Sequence, residues 1–137
     1  MRKSLVLIAL CFFLTNCSTI NNFGFGKKKT DFEKYKINEY LWLSSKNLLT
    51  KYQGTKSNLQ DGFIQTGWII PKKESKTRFR IVVYIVGSDL LEENLEVFVE
   101  KEININGQWV RKNLSDSLKS TLKREIINGA RNLDSSN

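Results

Sequence analysis

The sequence predicts an α+β domain in which two helices cover one face of an antiparallel sheet of three or four strands. Three observations lead to this fold class. Apolar residues recur at helical spacing after residue 37, runs of alternating polarity follow between residues 63 and 110, and helical spacing returns near the end of the chain. Because each helix and the sheet have one apolar side, a two-layer sandwich (helix, meander, helix) buries all of them together.

The first helix is predicted to begin after Asn38. Asparagine suits an N-cap, and Glu39 places a carboxylate in the first turn, where the helix dipole favours negative charge. Gly54 is the predicted stop. Ser44 and Ser45 interrupt the apolar stripe, and such small side chains indicate a close approach to the second layer.

Alternating polarity predicts three strands. The first is "FIQTGWII" at 63–70, which Pro71 ends; the second is "TRFRIVVYIVG" at 77–87; the third passes through Leu95 and Val97. The second strand has two distinct faces. One face consists of Phe79, Ile81, Val83 and Ile85. The other face consists of Arg78, Arg80, Val82, Tyr84 and Val86. The two arginines indicate that the beginning of the second face meets water.

The remaining elements are a hairpin and a helix. The dipeptide Asn106-Gly107 suits a type I′ turn, which would return the chain as a short fourth strand through Trp109 and Val110. Ser115 is the predicted cap of the last helix. Its apolar stripe consists of Leu118, Leu122, Ile126, Ala130 and Leu133. We therefore expect a domain at 36–133 and a disordered tail at 134–137.

The N-terminus has the layout of an export signal. Met1-Arg2-Lys3 precede ten apolar residues, Leu5 to Leu14. A helix of that length reaches about 15 Å, half the roughly 30 Å of a bilayer's hydrocarbon core. Removal of a signal peptide at 1–16 would leave Cys17 as the remaining cysteine in an oxidising compartment, without a second cysteine for a disulfide. We therefore expect its sulfur to carry a covalent modification.

The residues around Cys17 resemble the bacterial lipobox. Leu14 matches the favoured leucine and Thr15 is acceptable, whereas Asn16 stands where Gly, Ala or Ser is usual. A lipobox implies a cysteine with two or three acyl chains, which is enough for stable anchoring. Ser18 fits onward sorting to the outer membrane. The alternative is an uncleaved signal anchor in which Cys17 is incidental.

Residues 17–35 are predicted to be the lipidated cysteine and a flexible tether, because the segment lacks sustained periodicity and contains two glycines. Its three consecutive lysines, 27–29, most simply face acidic lipid headgroups, and tether solubility explains them equally well.

The composition argues against most catalytic chemistry. The chain has no histidine, and the mature form would have no free thiol, which removes the usual base for a serine nucleophile and most zinc sites. The glutamates between residues 92 and 102 alternate as on a solvated face. We therefore predict no enzyme activity, no cofactor and no metal.

A net charge of +8 also raises the question of nucleic acid. The positive residues are spread along a chain rich in Lys, Asn and Ile, which indicates a compositional bias. The element order is shared by the double-stranded RNA-binding domain, but the start of the last helix reads "SDSLKS", without the basic cluster that such domains use. We predict no nucleic-acid partner.

Several segments resemble a family of small alphaproteobacterial lipoproteins of unknown function. They are "INEYLWLSSKNLL" at 37–49, "GFIQTGWI" at 62–69, "RFRIVVYIVGSDLLEENLEVFV" at 78–99 and "QW" at 108–109. More distantly, the element order is similar to that of domains of the C-type accessory lipoprotein of the outer-membrane β-barrel assembly machinery. The resemblance implies a cell-envelope lipoprotein and supplies no catalytic residue.

These observations predict a non-enzymatic lipoprotein, held by Cys17 to the periplasmic leaflet of the outer membrane, that acts as an interaction or scaffolding module in envelope assembly or maintenance. Envelope-assembly proteins are the expected partners. The predicted contact surface is the exposed sheet face, formed by Arg78, Arg80, Tyr84, Trp68 and Trp109. An ordinary, partly covered sheet face is the alternative interpretation of these residues.

A second functional hypothesis is a module that binds a small apolar ligand, such as a lipid, between helix and sheet. Ser44 and Ser45 would then flank a cavity instead of forming a tight contact.

Overall fold

A computed structural model describes residues 30–114 and 116–137 of the 137-residue chain. The helices are α1 (Asp31–Tyr35), α2 (Glu39–Leu49) and α3 (Asp116–Ser135). The strands are β1 (Lys56–Asn58), β2 (Phe63–Gln65), β3 (Thr77–Ile85), β4 (Leu95–Ile105) and β5 (Gln108–Lys112), with a 3₁₀ turn at Glu92–Asn94 before β4. The predicted α+β fold class is confirmed.

The five strands form one antiparallel meander in the order β1-β2-β3-β4-β5. The predicted hairpin after β4 is present, since Asn106 and Gly107 have φ of 50° and 84°. The edge strand β1 has no counterpart among the predicted strands. Its three residues are polar and exposed, so no alternation marks them as a strand.

The core lies between the sheet and two helices, as predicted. Helix α2 contacts β2 and β3, α3 contacts β4, and the two helices contact each other. Side chains with less than 2% exposure come from every one of these elements: Leu41, Leu49, Ile64, Val83, Ile85, Leu95, Val97 and Ile126. Burial of about eight such aliphatic side chains, at roughly 1.5–3 kcal/mol each, is the main force holding the two layers together.

The two helices approach each other closely at Ser44. The small residue was expected to allow a close approach to the second layer, but its neighbour is the other helix, α3, in the same layer. The Ser44 hydroxyl donates a 2.7 Å hydrogen bond to the carbonyl oxygen of Ile126. Gly129 of α3 faces the same hydroxyl, and a methyl group there would lie 2.4 Å from Ser44 Oγ. Ser45 is fully buried, and its hydroxyl has no hydrogen-bond partner among the described residues.

Asn38 caps α2 as predicted, because its side chain accepts a 2.9 Å hydrogen bond from the Leu41 N–H. The helix ends at Leu49, with Thr50 as its C-cap, so it stops before the predicted Gly54. Gly54 instead lies in the following turn with φ of 71°.

The predicted strand at 63–70 is interrupted. Strand β2 ends at Gln65, and Gly67 donates its N–H to the carbonyl of Gln53 instead of to the sheet. The chain returns at Ile69, which forms an isolated bridge with Phe79. The strand is therefore broken by the hydrogen bond between Gly67 and Gln53, in the turn after α2. A local sequence pattern does not reveal this contact.

Folded structure begins earlier than the predicted boundary of the tether at residue 35. Residues Asp31–Tyr35 form α1, which a reciprocal capping box between Thr30 and Glu33 closes at its N-terminus. Phe32 and Tyr35 pack against the core.

The last helix packs with a slightly different stripe from the predicted one. Leu122, Ile126 and Ala130 are buried as expected, and Ile127 joins them. Leu118 is 38% exposed, because the first turn of α3 lies at the edge of β4 and not over the core. The helix continues to Ser135, so only residues 136–137 of the predicted tail at 134–137 follow it. The predicted cap Ser115 and the predicted lipidation site Cys17 lie outside the described residues.

Candidate functional site: the outer face of the sheet

The side of the sheet away from the helices carries the predicted contact residues. We call it the outer face; in β3 and β4 it consists of Arg78, Arg80, Val82, Tyr84, Glu96, Phe98, Glu100 and Glu102. The alternation of β3 sends its odd residues into the core and its even residues to this side. The β3–β4 register then places each arginine directly opposite a glutamate.

Arg78 lies between two indole rings. Its guanidinium carbon is 4.1 Å from the ring centroid of Trp68 and 4.2 Å from that of Trp109. Its Nη2 and Nε atoms donate to one carboxylate oxygen of Glu102 at 2.5 and 2.8 Å. Stacking and ion pairing together hold this side chain in one orientation, and only 22% of it is exposed.

A second group of ion pairs lies two residues further along β3, where Arg80 is opposite Glu100. Glu100 pairs with Arg80 at 2.5 Å through one oxygen and with Arg111 of β5 at 3.0 Å through the other. Arg80 also contacts Trp68, with 4.6 Å between guanidinium carbon and ring centroid. Four of the predicted residues (Trp68, Arg78, Arg80 and Trp109) thus form one connected cluster, and the glutamates expected to be solvated neutralise it.

Tyr84 lies apart from this cluster, towards the other end of the outer face. It belongs to an aromatic row, with ring centroids 5.3 Å from Phe63 and 6.1 Å from Phe98. Tyr84 and Phe98 are 37% and 46% exposed. Lys119 of α3 reaches the same row and places its ammonium group 5.6 Å from the Phe98 ring centroid.

A groove of about 540 Å³ joins the two ends of the outer face. Val82, Tyr84 and Phe98 line it on the sheet, and Asn113 and Leu114, in the link from β5 to α3, line it at the sheet edge. Its charged lining residues are five basic ones and one acid: Arg80, Lys101, Arg111, Lys112 and Lys119, with Glu100. The groove is therefore apolar along the sheet and electropositive at its sides.

Among the residues of this surface that sequence reasoning missed are Phe63, Phe98, Arg111 and Lys119. The alternation of β4 could have placed Phe98 beside Glu96 and Glu100. The positions of Phe63 and Arg111 depend on how β2 and β5 pair with their neighbours, and that of Lys119 depends on where α3 crosses the sheet edge.

The other sequence candidates lie elsewhere. Ser44 takes part in the contact between α2 and α3, and its hydrogen bond to Ile126 is the tight packing expected of a small residue rather than the wall of a cavity. Within residues 30–114 and 116–137, no group of three or more Cys, Asp or Glu side chains is arranged to hold a metal ion. In the same ranges, no helix combines the length and apolar content that crossing a bilayer requires.

Comparison with known proteins places the chain among proteins of unknown activity. The model of a domain of unknown function, DUF3576, matches residues 35–135. An uncharacterized protein of Rickettsia prowazekii (strain Madrid E) is 27% identical over 97 residues, which cover 71% of this chain and 58% of that protein. The chain thus aligns with little more than half of this relative's length. No solved structure matches the chain, and these comparisons give no support to the distant similarity to the C-type accessory lipoprotein.

Proposed function

The chain belongs to the family defined by the domain of unknown function DUF3576, an alphaproteobacterial family, and we propose that it is a membrane-anchored, non-enzymatic interaction module that contacts protein partners through its outer face. The anchor in this proposal is a lipid on Cys17, and the setting is the periplasmic side of the outer membrane. Support for both comes from the sequence, through the lipobox-like residues before Cys17 and the short apolar leader.

The observation that carries the proposal is the composition and order of the outer face. Tryptophan, tyrosine and arginine are the residue types enriched at the energetic centres of protein interfaces. Here two tryptophans, two arginines and a tyrosine occupy one side of a rigid antiparallel sheet, with the helices on the other side.

The orientation of Arg78 adds to this support. An arginine that moves freely in solution loses side-chain entropy when a partner immobilises it. Arg78 is already stacked between two rings and paired with Glu102, so its remaining exposed edge is presented in a fixed geometry. Preorganisation of this kind reduces the free-energy cost of binding.

Two substitutions test this contact surface. We expect Arg80→Glu combined with Tyr84→Ala to remove partners that co-purify with the lipidated, full-length protein. The matched control is Arg131→Glu, which reverses an exposed charge on α3, away from the outer face. A folded double variant that retains every partner of the unmodified protein would rule out the outer face as the contact surface.

The anchor is tested separately by the intact mass of protein purified from its native membrane. The proposal expects residues 1–16 to be absent and Cys17 to carry two or three acyl chains. A free thiol with the leader still attached would contradict the anchor, the location and the proposed envelope role.

A further inference from the structure

We propose that the groove of the outer face binds an extended, acidic segment of a partner protein, with an apolar side chain of that segment lying on Phe98 and Tyr84. This inference rests on the proposed function and adds to it the chemical character of the partner.

The first argument is the unbalanced charge of the groove. Its only carboxylate among the described residues, that of Glu100, already uses one oxygen for Arg80 and the other for Arg111. Lys112 and Lys119 are exposed, and neither has a carboxylate oxygen within 4.0 Å in the ranges that the structure covers. The groove therefore retains positive charge that an acidic partner can neutralise.

The second argument is the apolar surface along the groove. Phe98 is 46% exposed and Tyr84 37% exposed, and both belong to the aromatic row at the end of the groove. Lys119 lies above the Phe98 ring, so a cation and an aromatic surface adjoin each other. A segment with both acidic and apolar side chains matches this arrangement better than a purely charged ligand does.

The shape of the site favours a protein segment over the surface of a membrane. The groove is concave, with a volume of about 540 Å³, and a bilayer that is flat on this scale would span it without filling it. Arg80 and Arg111 converge on Glu100, whereas Lys119 lies beside Phe98 in another part of the groove, so the positive charge occupies two separate positions. This distribution suits several negative charges spaced along a chain.

The experiment is photo-crosslinking in the cells that produce the protein, with the full-length chain. A photo-reactive amino acid replaces Leu114, at the edge of the groove, in the unmodified background, in Lys112→Glu/Lys119→Glu and in Lys112→Arg/Lys119→Arg. The same amino acid at Phe63, on the outer face but outside the groove, reports on the face as a whole. Mass spectrometry then identifies the crosslinked segment.

We expect Leu114 to crosslink to a protein segment with net negative charge. The yield should fall at least about tenfold in the glutamate variant, equivalent to roughly 1.4 kcal/mol, and be retained in the arginine variant. A neutral or basic segment, or a yield that is insensitive to charge reversal, would overturn the inference.

Two further outcomes separate the inference from the proposed function. Crosslinks from Leu114 to phospholipid alone would replace the acidic segment with a lipid headgroup and overturn the inference. Crosslinks to protein from Phe63 without any from Leu114 would overturn the acidic groove and leave the outer face as a contact surface. The absence of protein crosslinks from both positions would contradict both proposals.

Discussion

We expect Gly129→Ala to lower the free energy of unfolding in the unmodified protein and to raise it when Ser44 is also replaced by alanine. Gly129 lies inside α3 and faces Ser44 of α2, and the β-carbon of an alanine there would lie 2.4 Å from Ser44 Oγ. That distance is far below van der Waals contact, so one of the two groups has to move. Ser44 can rotate away only by breaking its buried hydrogen bond to the carbonyl oxygen of Ile126.

The magnitude is the balance of two effects. Alanine is a better helix former than glycine by about 1 kcal/mol, which favours the variant. Overpacking, or equivalently the loss of a buried hydrogen bond, costs about 1–3 kcal/mol. The free energy of unfolding should therefore fall by about 0–2 kcal/mol in the unmodified background.

The double variant removes the steric conflict. Without the hydroxyl, the nearest atom of residue 44 to the new methyl group is its β-carbon, at 3.5 Å, which is an ordinary contact. In the Ser44→Ala background, Gly129→Ala should then raise the free energy of unfolding by about 1 kcal/mol, from helix propensity alone. The expected coupling energy between the two positions is about 1–3 kcal/mol, within the range for residues in direct contact.

Urea unfolding of the four proteins in this cycle, followed by circular dichroism, measures the coupling directly. The linear extrapolation is applicable because the described part of the chain forms one small core. If Gly129→Ala stabilised the protein by the same amount in both backgrounds, the close approach of α2 and α3 at this point would be refuted.

Three further substitutions test separate parts of the structure. Ser45→Ala should stabilise the protein by about 1 kcal/mol in urea unfolding, because Ser45 Oγ is buried without a hydrogen-bond partner among the described residues; a loss of stability would indicate a partner for this hydroxyl. Asn38→Ala should lower stability by about 1–2 kcal/mol, because it removes both the cap on the Leu41 N–H and the 3.0 Å hydrogen bond that Asn38 Nδ2 donates to the Ser88 carbonyl oxygen; unchanged stability would contradict both roles. Arg78→Lys should disturb the environment of both tryptophans, since a lysine ammonium lacks the planar surface that stacks between two rings; tryptophan fluorescence and near-ultraviolet circular dichroism that do not change would refute the stacked arrangement.

The order of the main elements was predictable because it depends on local patterns. The cap at Asn38, the turn at Asn106-Gly107 and the alternation of β3 are each encoded within a few residues, and all three are present. The small residue at Ser44 indicated a close approach, but the sequence did not reveal that its neighbour is α3 and not the sheet, because that depends on how the two helices pack.

The features that were not predicted depend on contacts between distant segments. The break in the strand at 63–70 arises from the hydrogen bond between Gly67 and Gln53. The segment β1 is a strand because it pairs with the edge of β2. The contact surface was predicted as a set of residues but not as an arrangement. Alternation placed Arg80 and Tyr84 on one face. It did not reveal that Arg80 joins the cluster around Trp68 and that Tyr84 joins the aromatic row with Phe98.

The central claim, that the outer face meets a protein partner, is tested most directly by photo-crosslinking in living cells from two positions of matched exposure. Tyr84 on the outer face is 37% exposed, and Leu43 on the solvent side of α2 is 38% exposed. The account predicts discrete crosslinked protein species from position 84 and none from position 43. Crosslinks to the same proteins from both positions, or from position 43 alone, would contradict it.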